Sequence, residues 1–267
     1  MATVSVTTWA EFLTAIAVSG DTVELPQEAE WDMSEIEPFG HAENIVIRCA
    51  KINGNGTRIK NLHLTGQFQV KGSTCEFIDF YMTDFIGDGV PYDGYGFFHG
   101  NAFFRRCALS GILGAEYHNF VYYTTNYARY FAEQTAINIE SSSANFWMYT
   151  GGSDGSIYSR IEVHAPNTVK PTPAGQDFRY CEVIIYAPNA ASEFAANHYI
   201  GCTLRGNMQS ITNDSAGSRC DVPTVYFSEM FGEGYAPDYP DSFIPCTEEQ
   251  LKDPAYLRSL GFPIVVR

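Results

Sequence analysis

The side chains best able to do chemistry lie between residues 79 and 106: Asp79, Asp84, Asp88 and Asp93, followed by His99 and the pair Arg105-Arg106. Several carboxylates together can hold Ca²⁺, and an Arg or Lys beside the metal can abstract a proton that the metal has made acidic. That combination would support metal-assisted proton abstraction from a bound ligand. Tyr92, Tyr95, Phe97 and Phe98 are interleaved with these carboxylates, and aromatic faces stack on sugar rings while their polar tips hydrogen-bond. Asp84, Asp88, Tyr92, Asp93, Tyr95 and His99 therefore form a candidate ligand-binding set. Acidic loop residues on an acidic chain are also simply solvated, so no catalytic residue is assigned. A second aromatic cluster holds Phe120, Tyr122, Tyr123, Tyr127, Tyr130 and Phe131. Phe120 and Tyr122 fit interior positions of the repeat below, whereas Tyr92 and Tyr95 fit the surface. The chain has no Cys-x-x-Cys, His-Glu-x-x-His, Walker-type loop or Gly-x-Ser-x-Gly elbow, and the expectation is no metal and no cofactor.

These residues hang on a pattern that keeps returning. An apolar residue, two intervening residues, a Cys or other apolar residue, one more residue and an aliphatic recur from Ile59-Lys60-Asn61-Leu62-His63-Leu64 onward. Further copies include Phe77 to Met82, Phe104-Arg105-Arg106-Cys107-Ala108-Leu109, Tyr158 to Val163, Phe178-Arg179-Tyr180-Cys181-Glu182-Val183, Tyr199-Ile200-Gly201-Cys202-Thr203-Leu204 and Val222 to Phe227. With the central residue as marker, the last four fall at Ile161, Cys181, Cys202 and Val225, in steps of 20, 21 and 23 residues. A period near twenty marks a solenoid whose coils bury their apolar sides only by stacking. The central residue and the one two further on share a strand face, and the residue three before lies across a bend. The alternative, an antiparallel sandwich, predicts Asn-Gly or Asp-Gly hairpins between strands. Such pairs occur at Asn53-Gly54, Asn55-Gly56, Asp88-Gly89 and Asp154-Gly155, but not at matched distances from the motif. The expected fold class is all-β, a single-stranded right-handed parallel β-helix with an N-terminal capping helix and a C-terminal helical cap.

The caps have their own signals. Thr8-Trp9-Ala10-Glu11 is a capping box, and Trp9, Phe12, Leu13 and Ile16 recur at helical spacing. Near the other end Thr247-Glu248-Glu249-Gln250 is a second capping box, Asp253-Pro254 starts another helix, and Gly261 stops it. The expected division is residues 1–20 as N-terminal cap, 21–230 as β-helix and 231–267 as C-terminal cap, in one structural domain. The segments Asn167 to Gly175 and Phe85 to Phe98 are expected to be loops leaving the coil.

Trp9 to Ile16, followed by Gly20-Asp21-Thr22-Val23-Glu24-Leu25, resembles the entry into right-handed β-helices of the pectate-lyase-like superfamily. The copies Phe104 to Gly111 and Tyr199 to Gly206 are similar to that superfamily's coils, over about residues 5 to 230. The resemblance implies the fold, but this scaffold serves lyases, hydrolases, adhesins and bacteriophage fibres or spikes. Glu248 to Asp253 with Leu257 to Pro263 resembles tails of phage or prophage structural proteins. Arg58-Ile59-Lys60 and Phe98-His99-Gly100 echo polygalacturonase strings, but in reversed order and with no Asp-Asp pair, and read as coincidence. The resemblance implies a non-enzymatic virion structural protein, a fibre, spike or capsid-attached component. Its implied partners are other virion proteins and a cell-surface glycan or protein receptor. The alternative is a polysaccharide lyase or glycoside hydrolase with its groove along Asp79 to Arg106. Fibres on this scaffold are often homotrimers, although two caps would also let one chain stand alone.

Sixteen Lys and Arg against thirty-one Asp and Glu leave a charge of −15, and no basic stripe is dense enough to neutralise a phosphate backbone, so nucleic acid is not an expected ligand. No stretch approaches the roughly 20 apolar residues of a membrane span. Met1 to Val6 has neither the basic start nor the apolar run of a signal peptide. The expected location is the virion, after synthesis in a host cytoplasm. Of seven cysteines, Cys107, Cys181 and Cys202 share one motif position. They are expected to point inward as free thiols in a ladder of small buried groups.

Overall fold

The structure, a computed structural model, describes residues 2–36, 44–71, 74–89, 96–122, 130–150, 155–168, 177–187, 193–196, 198–207, 210–213, 222–231, 237 and 241–263. The described chain is mostly strand, and the strands form all-parallel sheets stacked as a β-helix. The first sheet runs through Thr3–Ser5, Thr22–Glu24, Lys51–Asn53, Cys75–Ile78, Ala102–Arg105, Tyr130–Glu133, Gly155–Ile157, Asp177–Arg179 and His198–Ile200. The second runs through Glu30–Asp32, Arg58–Lys60, Tyr81–Gly87, Ala108–Leu113, Ala136–Ser141, Arg160–His164, Glu182–Tyr186, Thr203–Gly206, Thr224–Phe227 and Phe243–Cys246, with His63–Leu64 beside Tyr81–Gly87. The third holds Ile45–Ile47, Phe68–Val70, Gly96–His99, Asn119–Tyr122 and Trp147–Thr150. Glu193–Ala196 and Ser210–Asn213 form a separate parallel pair. The chain visits the sheets in turn, and each return lies one coil further along.

The corner between the first and second sheets repeats in the same geometry. One residue adopts a left-handed backbone there: Asp79 (φ 50°), Arg106 (53°), Gln134 (50°), Tyr158 (51°), Tyr180 (54°) and Gly201 (58°). Its N–H still reaches the next coil, as in Arg106 N–H to Glu133 O (2.9 Å) and Tyr158 N–H to Arg179 O (3.0 Å). The ladder resumes two residues on, as in Ala136 N–H to Cys107 O (2.9 Å). The N–H between these two points turns inward, where an unpaired donor is costly. A small polar side chain from the next coil accepts it: Cys107 N–H donates to Thr135 Oγ1, Thr135 N–H to Ser159 Oγ and Cys202 N–H to Thr224 Oγ1, each at 3.2 Å. The same side chains donate back to the corner carbonyls. Thr135 Oγ1 reaches Phe104 O at 3.1 Å, and the Cys107, Cys181 and Cys202 thiols reach Phe77 O, Ser156 O and Phe178 O at 3.3, 3.3 and 3.2 Å.

Register along this column corrects the sequence repeat. Structural equivalents of Cys181 and Cys202 are Ser159 and Thr224, not Ile161 and Val225, because Ile161 pairs with Val183 and Val225 with Thr203. Ile59 likewise pairs with Met82, so the first copy is shifted too. An apolar search slipped wherever the corner slot holds a hydroxyl. The described cysteines lie as expected: Cys49, Cys75, Cys107, Cys181, Cys202 and Cys246 are buried and free, and Cys220 lies outside the described residues.

The interior is aromatic in the N-terminal half. Phe68 stacks on Phe98 (4.9 Å, 13°) and Phe85 on Phe97 (4.6 Å, 14°), while Phe77 lies 5.1 Å from Phe104. Phe97 and Phe98 are therefore core residues and not surface candidates, and Phe85 belongs to a strand instead of a loop. Both neighbours in Gly96–His99 are buried, so strict in-out alternation fails there. Phe120 is buried as expected, but Tyr122 is half-exposed and stacks on His99 (5.6 Å, 23°).

Helix Trp9–Ile16 closes the first coil with the expected Thr8/Glu11 capping box, burying Phe12, Ala15 and Ile16 and placing Phe12 beside Trp31 (6.0 Å). The parallel ladder continues through Phe243–Cys246. Helices Glu248–Lys252 and Pro254–Ser259 then fold onto the outer face of the second sheet. Along Thr224–Phe227, Tyr226 enters the interior, whereas Val225 joins Cys246 and Leu251 beneath these helices, with Leu257 and Phe262 packed around them. Among the described residues no helix is long and apolar enough to cross a membrane.

Thr135→Val strands the Cys107 N–H and the Phe104 carbonyl; a loss of about 1–3 kcal/mol in urea unfolding is expected, with Thr135→Ser close to wild type. Burial pushes the Cys107 thiol up to about 12 and raises that of Cys202 as well. Alkylation with iodoacetamide at about pH 8 should therefore spare both in the native protein and label them in urea; native labelling of Cys107 would contradict the corner geometry.

Candidate functional site

The described members of the acidic set predicted from sequence, Asp79, Asp84 and Asp88, each sit in a different setting. Asp79 is held by Arg106 through Nε–Oδ1 at 2.8 Å and Nη2–Oδ2 at 2.7 Å, placing the two on one outer face as the motif positions implied. Asp84 projects outward from Tyr81–Gly87 at φ 57°, where the register shifts between Met82 and Phe85. Asp88 lies at the far end of that strand with its Oδ1 2.7 Å from His63 Nε2. His99 belongs to the third sheet. Tyr92, Asp93 and Tyr95 lie outside the described residues. Among the described residues no three His, Cys, Asp or Glu side chains come together as a metal site.

A different surface has the form of a site. The first outward position after each corner makes one row across the second sheet, with Tyr81, Ala108, Ala136, Arg160, Glu182, Thr203 and Val225 in register. Ala108 and Ala136 are small, so the row sinks between Tyr81 and Arg160. The left-handed residues of the corner form its rim. Tyr158 and Tyr180 stack there in parallel, 5.4 Å apart and 11° from coplanar. Gly201 continues the rim, and a Cβ added there would meet a Tyr180 ring carbon at 2.7 Å. A cleft of about 450 Å³ results, with Arg106, Gln134, Tyr158, Arg160 and Tyr180 among its lining residues.

Arg160 and Tyr180 also border a second cleft, of about 430 Å³, between the same row and the C-terminal helices. Glu182, only 4% exposed, anchors its floor by accepting from Arg160 Nη1 and Arg205 Nη2, both at 3.1 Å. Arg160 also donates to Glu162, whose second oxygen lies 2.9 Å from His164 Nε2. His164 stacks on Tyr186 at 4.7 Å. Burial pushes the Glu162 carboxyl up, but the hydrogen bonds and positive charge of His164 and Arg160 together outweigh it, and the net direction is down.

Tyr158, Tyr180, Arg160, Glu182 and Arg205 were not singled out by sequence. Tyr180 does occupy the motif slot before the central residue, the slot that also holds Asp79 and Arg106, and that equivalence was the available signal. Tyr158 was hidden by the slipped alignment of its copy. In comparison with known proteins, the chain matches no family model, no curated protein and no solved structure.

A carboxyl with a depressed folded pKa stabilises above its unfolded value, and the contribution disappears as pH falls through the folded value. Glu162 starts from 4.5, and Glu11 and Asp32 shift in the same direction. Melting temperature should therefore fall as pH drops below about 4.5. Glu162→Gln should be less stable than wild type at neutral pH and converge with it in strong acid; curves that stay parallel would contradict the Arg160–Glu162–His164 geometry.

Proposed function

We propose that this chain is a non-enzymatic β-helical structural component, of the kind carried by a virion as a fibre, spike or capsid-attached protein, and that it binds saccharide along the outer face of its second sheet. The observation that carries the binding reading is the stacked Tyr158–Tyr180 pair on the rim of a groove floored by Ala136 and flanked by Arg106 and Arg160. Planar rings in register present a flat apolar surface that suits the faces of successive sugars, and guanidinium groups supply several fixed donors to ring hydroxyls. A parallel β-helix repeats at about 4.8 Å per coil, so the groove has a fixed pitch and needs little ordering on binding. The resemblance of the coils to the pectate-lyase-like superfamily, and of the Glu248 to Pro263 segment to phage structural proteins, supports the virion context. Other virion proteins would be its structural partners and a cell-surface glycan its receptor.

Binding to a saccharide panel, followed by calorimetry on the hits, tests this reading. Tyr180→Ala should weaken the best ligand by about threefold to tenfold, the worth of one aromatic stacking contact, while circular dichroism stays unchanged. Incubation with acidic polysaccharides, with and without Ca²⁺, should release neither unsaturated nor new reducing ends. Robust product would overturn the non-enzymatic assignment in favour of a lyase or hydrolase, and binding indifferent to Tyr158 and Tyr180 would overturn the site.

A further inference from the structure

Two of the buried cysteines differ from the others in what their sulfurs face. The Cys107, Cys181 and Cys202 thiols are turned to carbonyls of the preceding coil, at 3.2–3.3 Å. Cys49 and Cys75 are turned to each other, with their Sγ atoms 3.9 Å apart. Register explains the meeting. Lys51 pairs with Glu76, which sets Cys75 beside Ala50 and Cys49 one residue off. Adjacent strands lie about 4.8 Å apart and each residue advances about 3.3 Å, so this diagonal spans roughly 5.8 Å between Cα atoms. A disulfide requires about 4.4–6.8 Å. The two sulfurs can therefore reach bonding distance by side-chain rotation, with the ladder left in place.

The position of the pair gives such a bond a consequence. The N–H groups of Arg48 and Cys49 both donate to Ile16 O at the end of helix Trp9–Ile16, at 2.7 and 3.1 Å, so Cys49 belongs to the coil that this helix closes. Cys75 begins the strand of the next coil, which pairs with Lys51–Asn53 on one side and Ala102–Arg105 on the other. We propose that Cys49 and Cys75 form a redox-sensitive staple, joined by peroxide into a disulfide that ties the coil held by the N-terminal helix to the next one. The staple lies in the interior, apart from the saccharide face, and neither reading depends on the other.

The two sulfurs have different roles. Cys49 is 2% exposed and Cys75 0%, so a small oxidant meets Cys49 first. The hydrogen bond from Cys75 holds the Cys49 thiol below the usual range, while burial pushes that of Cys75 well up, which makes Cys49 the thiolate. Its sulfur attacks one peroxide oxygen: the S–O bond forms, the O–O bond breaks, and hydroxide leaves with the proton that Cys49 gave up, as water. The Cys75 sulfur then attacks the Cys49 sulfenic acid. The S–S bond forms, the S–O bond breaks, and a second water carries off the Cys75 proton. Two thiols lose two electrons and one peroxide gains them; a dithiol reductant reverses the bond by exchange. Cys107 has no such partner, since its neighbours in the corner slot are Phe80 and Thr135.

Treating the native, reduced full chain with hydrogen peroxide, then alkylating in urea and mapping peptides without reductant, tests the inference. The expected product links Cys49 to Cys75. Melting temperature should rise by about 5–10 °C, as for a cross-link that restricts the unfolded chain, and return with dithiothreitol. In Cys75→Ser, peroxide should leave at Cys49 a sulfenic acid that dimedone traps, with no rise in melting temperature, and Cys49→Ser should leave Cys75 unmodified. Cys107→Ser, at a slot that holds Ser159 two coils on, should keep both the link and the rise. The wild-type map decides alone if a variant does not fold. Cys49 and Cys75 both still free at peroxide levels that oxidise the methionines, or Cys49 carried on to a sulfinic acid without a link, would overturn the proposal. So would either cysteine joined to Cys220, or a rise in melting temperature that survives in Cys75→Ser.

Discussion

A parallel coil can turn a corner only if it finds a partner for the one backbone donor that the turn points inward. Here that partner is a side chain from the neighbouring coil, Thr135 for Cys107, Ser159 for Thr135 and Thr224 for Cys202. At these three corners the slot is small and carries a hydroxyl, which can serve both an N–H and a carbonyl inside a narrow tube, whereas the coil of Asp79 fills the same slot with buried Phe80. Left-handed backbone at the preceding residue completes the turn. Such a conformation is unfavourable for Arg106, Gln134, Tyr158 and Tyr180, and it persists because each of their N–H groups still donates to the next coil.

Everything on the surface inherits this register. Since every coil turns at an equivalent point, the outward residue before the corner slot and the one after it form straight columns. Asp79 meets Arg106, and Tyr158 meets Tyr180, because they are the same residue of successive coils. The row Ala136, Arg160, Glu182 and Thr203 makes a depression and then a charged floor for the same reason. The C-terminal helices convert the end of this open face into a cleft, and their anchorage is ordinary apolar packing of Leu251 and Leu257 on Val225 and Cys246.

The architecture was legible because its strongest signals are local. Apolar alternation, the capping boxes at Thr8 and Thr247, and Cys107, Cys181 and Cys202 in one slot all depend on residues close in sequence. Where the pattern misled, polarity was the cause: Thr135, Ser159 and Thr224 occupy interior slots that a hydrophobic search passes over. Phe97 and Phe98 stood beside Tyr92 and Tyr95 as exposed-aromatic candidates because a Gly- and Asp-rich stretch precedes them. In the fold, third-sheet strands bring both rings inward onto Phe85 and Phe68. Tyr122 was read as core and instead stacks outward on His99.

The sequence by itself determined that the chain is a capped coil of short strands with small thiols inside, since strand periodicity and helix capping act over a few residues. Only the tertiary structure decided which distant side chains meet. Arg160, Glu182, Arg205 and Arg258 belong to different coils and to a helix beyond the last of them, and their meeting depends on register between coils and on where the cap lands. A shift of one residue in that stacking would send Glu182 inward and separate Tyr158 from Tyr180. The electrostatics of the cleft therefore belong to the stacked assembly, although each residue type is present in the chain.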